Sequence, residues 1–109
     1  YQLHYSAGTN GSYTGGISSN MTYTPGNWGT FAVTHTTGGV VTYYYNGQQL
    51  SQNTGQTFYQ YQSSTYEQVG ASDNYWSGPI SVVSVYGSAL TAAQILQNHN
   101  AIRIRYGLS

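Results

Sequence analysis

The chain has 109 residues, enough for one small domain, and only Glu67, Asp73, Arg103 and Arg105 carry a formal charge, so the net charge is zero. Two arginines cannot neutralise a run of phosphates, which excludes an electrostatic nucleic-acid binder. The lack of Cys excludes disulfides and thiolate metal sites, and no apolar run reaches the roughly 18–20 residues of a membrane-spanning helix. Polar neutral side chains stand in for charge: 13 Ser, 13 Thr, 10 Gln and 8 Asn, beside 14 Gly and 13 Tyr. Disordered chains are charged and poor in aromatics, whereas 16% of these residues are aromatic. Tyr, Thr and Val favour strands, so a β-rich domain is expected. An uncharged surface promotes association, which points to a chain that lives in an assembly or in a longer polypeptide.

Tyr1, Leu3 and Tyr5 alternate with Gln2, His4 and Ser6, the period of a half-buried strand. Residues 7–20 are rich in Gly, Ser, Thr and Asn and read as a loop or a short irregular hairpin. Met21 and Tyr23 alternate with Thr22 and Thr24 before the Pro25-Gly26-Asn27 turn. A strand is predicted from Trp28 to Thr36, with Phe31, Val33 and His35 on one face. The next runs from Val40 to Tyr45 and ends at Asn46-Gly47, a hairpin signal because both central residues of a type I′ turn need positive φ. Gln48, Gln49 and Leu50 begin the return strand, and residues 51–57 read as polar turn. Phe58, Tyr59 and Tyr61 suggest a short strand, and Tyr66 to Gly70 another.

Within Tyr75 to Gly87, residues Ile80, Val82, Val83 and Val85 predict an apolar strand central in a sheet. Thr91-Ala92-Ala93-Gln94 fits a capping box, the start of a short helix that turns Leu90, Ile95 and Leu96 toward the sheet. Ile102, Ile104 and Tyr106 alternate again and predict a last strand, with Arg103 and Arg105 together on its other face. Short strands separated by turn signals argue for an all-β antiparallel sandwich or jelly roll with one short C-terminal helix, a single domain over residues 1–109.

The order of these pieces is familiar. Trp28 with Phe31-Ala32-Val33-Thr34, the hairpin Tyr45-Asn46-Gly47, and Gly78-Pro79-Ile80 leading to Val83-Ser84-Val85-Tyr86 and Ala89-Leu90-Thr91 resemble the C-terminal part of a laminin-G-like, concanavalin A-like lectin/glucanase domain. The resemblance covers about residues 28–108, and the closing segment is similar to those of tailed-phage and other viral structural proteins. It implies a two-sheet jelly roll, either shortened here or with its first strands upstream of residues 1–109. It also implies a place in a virion or extracellular assembly, with other subunits and glycans as partners.

The family's glycosidases need two carboxyl groups across the scissile bond. The only pair here, Glu67 and Asp73, lies six residues apart and lacks the family's spacing along one strand. The family's calcium sites lean on Asp, where this chain has Ser81 and Ser84. No catalytic residue, metal or cofactor is therefore expected; a glycosidase fragment with its acids upstream is the enzymatic alternative. His4, His35 and His99 have no ligand spacing. A saccharide surface needs aromatic faces with amide and hydroxyl groups beside them. Its expected rim is Asp73, Asn74 and Tyr75 with Tyr59, Tyr61 and Tyr66; Trp28, Trp76 and Asn53 are further suppliers, although the family packs both tryptophans in its core. A purely structural fibre or capsid-decoration subunit is the other alternative. Asn10 and Asn20 each open a glycosylation sequon.

Overall fold

The computed structural model describes residues 4–9, 12–18, 26–56 and 78–108. β1 (His4–Thr9) pairs antiparallel with β2 (Ser12–Ser18), with a register shift between Ser6 and Gly8. A three-stranded antiparallel meander follows: β3 (Phe31–His35), β4 (Val41–Tyr45) and β5 (Gln48–Asn53), with β4 in the middle. Helix α1 (Ala92–Arg103) and a 3-10 turn (Ile104–Tyr106) close the described chain.

The central strand explains the core. Registers Phe31↔Tyr45, Val33↔Tyr43 and His35↔Val41 place Phe31, Val33 and His35 on one face, as the alternation predicts. Val41 and Tyr43 on that face are fully buried, and Thr42 and Tyr44 on the other are 4% and 5% exposed. Burial on both faces is what distinguishes a central strand, and each large apolar side chain so buried contributes roughly 1.5–3 kcal/mol. Phe31 stacks tilted on Tyr45 with centroids 5.0 Å apart, a cross-strand aromatic pair. The edge strands are shorter or longer than their sequences suggest. β3 starts at Phe31 rather than Trp28. β5 continues to Asn53 through residues read as turn, because Gln52 donates from its amide to Thr42 Oγ1 across the pair at 3.0 Å. A register shift opposite Tyr43 and Tyr44 leaves Leu50 as the extra residue of a bulge.

Two turns carry the local chemistry. Asn46 and Gly47 have φ +49° and +79°, as a type I′ turn requires. A Cβ on Gly47 would sit 2.9 Å from Leu96 Cδ1 and 3.1 Å from His99 Cβ, so the bare backbone is also what lets α1 lie against the hairpin. At the helix start, Thr91 Oγ1 accepts from the Gln94 amide at 3.2 Å and the Thr91 amide donates to Gln94 Oε1 at 2.9 Å. Ile95 and His99 are the buried residues of α1.

One sequence expectation is overturned. The predicted last strand, Ile102 to Leu108, is the end of α1 and the 3-10 turn. Ile95, His99, Ile102 and Tyr106 are spaced four, three and four apart, a helical period that runs through the same residues as the two-residue alternation. The true stop is Gly107 at φ +64°, with the Leu108 amide donating to the Arg103 carbonyl at 2.8 Å. Arg103 therefore ends α1 and Arg105 lies in the 3-10 turn, so the two point in different directions rather than sharing a strand face. Among the described residues the expected central strand around Ile80–Tyr86 pairs with no other segment; residues 1–3, 19–25 and 57–77, where further strands are expected, lie outside the described residues.

Thr91→Ala should lower unfolding free energy by about 1 kcal/mol, the usual cost of a lost N-cap. Ser51→Ala should be neutral or stabilising, because Ser51 Oγ is buried with no hydrogen-bond partner. Urea titration of both variants checks this pair; an equal loss in both would contradict it.

Candidate functional site

The predicted rim, Tyr59, Tyr61, Tyr66, Asp73, Asn74 and Tyr75, lies outside the described residues, as do Trp76 and Glu67. Of the other candidates, Asn53 ends β5 opposite Val41, at the far end of the sheet from Phe31. His35 and His99 serve different places: His35 Nε2 meets the Gln56 carbonyl at 3.1 Å, and His99 Nδ1 meets Thr30 Oγ1 at 2.8 Å. Among the described residues no cluster of His and carboxylates could hold a metal ion.

Trp28 departs from its expected core position: it is 42% exposed, and its ring leans on Tyr106 with centroids 5.3 Å apart at 44°. The 3-10 turn presents Tyr106 there because Gly107 stops the helix, and the Arg105 guanidinium lies 5.7 Å from the Tyr106 ring centre, within cation–π range. The Tyr106 hydroxyl is hydrogen-bonded to the Ser81 hydroxyl. One surface thus joins three distant stretches: the approach to β3, the segment around Ile80, and the end of the helical tail. Sequence reading missed Tyr106 and Arg105 as partners of Trp28, because the assumed strand turned the arginines away from Tyr106. The helical spacing from Ile95 to Tyr106 was the signal that places them.

Charge on this surface has one sign. Arg103 and Arg105 are the only formally charged residues among those described, since both carboxylates fall outside. The helix C-terminus stabilises them, as its partial negative charge favours cations. Among the described residues no carboxylate lies beside them. Aromatic faces, a guanidinium and a neighbouring hydroxyl can stack on an apolar face and bond to acceptor oxygens. They offer no acid or base for hydrolysis.

The second exposed feature adjoins the first. Ile80, Val82, Val83, Val85 and Tyr86 are 49%, 53%, 55%, 78% and 52% exposed. Two side-chain bonds hold this segment, Ser81 to Tyr106 and the Asn98 amide donating to Tyr86 Oη at 3.1 Å.

A family model for the concanavalin A-like lectin/glucanases superfamily, of laminin-G type, matches residues 1–96. The chain belongs to this superfamily, and the match takes in the first 27 residues that the sequence resemblance had left aside. With the antiparallel meander and the C-terminal helix, it establishes the concanavalin A-like class expected from the sequence. The chain is similar to a crystal structure of an S-layer domain-containing protein (residues 221–444) from Clostridium thermocellum, at 21% identity and a TM-score of 0.55. That similarity covers 90% of this chain and 51% of the other, so the chain spans about half the length of the structure it matches. No curated protein sequence matches it.

Arg105→Gln should leave thermal stability within about 0.5 kcal/mol of the parent, as for exposed sites that no buried group uses. Gly47→Ala should cost at least 1 kcal/mol, ~1 from φ alone with the contact on α1 added. Melting curves of the two variants test the division between a free surface and a closed junction; comparable losses would contradict it.

Proposed function

We propose that this domain is a non-catalytic module of an extracellular or virion-surface assembly, with an adhesive role centred on Trp28, Tyr106 and Arg105. The observation that carries the reading is the exposure of Trp28 beside Tyr106, with the guanidinium of Arg105 over the same ring. In a superfamily that includes lectins and glucanases, this surface has the parts for holding a saccharide and lacks those for cutting one. The chain's only two acids do not show the paired spacing of a glycosidase. A setting outside the cell is supported by the laminin-G-type match and by the S-layer domain-containing neighbour, together with the near absence of charge.

The purely structural reading draws on the exposed aliphatic segment Ile80–Tyr86, which suits contact with another chain better than contact with a sugar.

A glycan array followed by titration calorimetry tests the adhesive reading. A binding saccharide should lose about tenfold in affinity with Trp28→Ala, equivalent to ~1.4 kcal/mol, and lose affinity also with Arg105→Gln. Absence of any glycan ligand, or binding indifferent to both substitutions, contradicts the site. Release of reducing ends from a bound polysaccharide contradicts the non-catalytic reading.

A further inference from the structure

We propose that Asn46-Gly47 is a latent modification site, held shut by its contacts with Thr30 and α1, whose spontaneous conversion to isoaspartate irreversibly uncouples the helix from the hairpin. This goes beyond the adhesive reading and stands whether or not the Trp28 surface binds a saccharide.

The chemistry is intrinsic to the dipeptide. The backbone nitrogen that follows an asparagine can attack the side-chain carbonyl carbon, and glycine leaves that nitrogen uncrowded because it has no Cβ. At this turn the Gly47 nitrogen bonds to Asn46 Cγ and the Cγ–Nδ2 bond breaks. Nδ2 departs as ammonia, taking the proton that Gly47 gave up. Water then opens the five-membered imide. Attack at Cγ gives aspartate; attack at the Asn46 main-chain carbonyl gives isoaspartate, with the chain running through Cβ and Cγ.

The fold blocks the first step in three ways. Ring closure needs Cβ and the Gly47 nitrogen nearly eclipsed about the Cα–C bond of Asn46. The φ values of +49° and +79° are those of a type I′ turn, whose ψ at the first central residue, about +30°, sets the two nearly opposite. The Asn46 side chain is also tethered: Oδ1 accepts from the Thr30 amide at 3.0 Å, while the Asn46 amide donates to the Thr30 carbonyl at 2.9 Å. Gly47 itself is buried, with Leu96 Cδ1 2.9 Å and His99 Cβ 3.1 Å from where a Cβ would stand. Thr30 Oγ1 fastens that same histidine at 2.8 Å. The reaction is therefore reserved for molecules in which hairpin and helix have parted.

The two products treat the junction differently. Aspartate keeps a carboxylate oxygen where Oδ1 stood, still an acceptor for the Thr30 amide, and it suits a type I′ turn. Isoaspartate adds a methylene to the backbone, so a two-residue turn no longer closes Tyr45 against Gln48 in the same register. Gly47 is then displaced from Leu96 and His99. An opening that ends this way is not reversed, which gives the junction a chemical lifetime set by how often it opens.

Peptide mapping by mass spectrometry, on the 109-residue chain kept in mildly alkaline buffer, follows Asn46, with the chain's other Asn-Gly pair, Asn10-Gly11, as internal standard. Conversion at Asn46 should be at least about tenfold slower in the folded chain than in the urea-unfolded chain, because the turn must first open against its hydrogen bonds. Thr30→Val, which removes the hydroxyl at His99 Nδ1, should raise the Asn46 rate severalfold and leave the Asn10 rate as in the parent. Leu96→Ala, which uncovers Gly47 from a half-exposed position, gives the same readout should the first variant misfold. Each product adds one negative charge to a chain of net charge zero, so ion exchange resolves it from the parent. The aspartate form and Asn46→Asp should melt as the parent does, and the isoaspartate form at a lower temperature. Equal Asn46 rates in the folded and unfolded chain, no rise in either variant, a rise matched at Asn10 in both, or an isoaspartate form as stable as the aspartate form would each overturn the proposal.

Discussion

The structure depends on one junction, where the Asn46-Gly47 turn meets Thr30 and His99. The Asn46 amide donates to the Thr30 carbonyl at 2.9 Å, and Asn46 Oδ1 accepts from the Thr30 amide at 3.0 Å. Thr30 then turns its hydroxyl to Nδ1 of His99, a helix residue only 4% exposed, 69 positions later in the sequence. Gly47 leaves the space that His99 and Leu96 fill. A turn residue chosen for positive φ therefore also orients the entry to β3 and docks the helix, so hairpin and helix are one cooperative unit. A buried donor or acceptor left unmatched costs roughly 1–3 kcal/mol, which is why this junction is closed on every side.

From that junction the functional surface follows. The clasp holds the chain just before β3, and Trp28 two residues earlier, beside the end of the helical tail. Tyr106 reaches Trp28, and Arg105 lies over the Tyr106 ring, where Gly107 stops the helix one turn past Arg103. The same tail steadies Ser81, and α1 steadies Tyr86 through Asn98. The meander and the helix satisfy their backbone locally, and the apolar segment between them is tied to the helical tail through its side chains.

Features whose chemistry is local were legible in the sequence. Asn46-Gly47 and the Thr91–Gln94 box each state a backbone conformation within four residues, and both occur as read. The superfamily was legible from the order of its pieces. The misreadings share a physical cause, the competition of two periods or the dependence on distant partners. Ile102, Ile104 and Tyr106 alternate as a strand does, yet Ile95, His99 and Ile102 also share a helix face, and a helix already nucleated at Thr91 propagates until a Gly stops it. The resemblance placed Trp28 in the core; its ring is instead exposed and leans on Tyr106, 78 residues away. The saccharide rim read around Asp73 lies outside the described residues, so the surface at Trp28 rests on geometry that no motif announced.

Amide hydrogen exchange, followed residue by residue, tests the central claim that Thr30, the Asn46-Gly47 turn and His99 close hairpin and helix into one cooperative unit. The amides of β4, Thr30, Asn46 and the interior of α1 should be strongly protected, and Gly47→Ala should lower the protection of hairpin and helix together. Unprotected amides at Thr30 and Asn46, or a loss confined to the hairpin or to the helix, would contradict it.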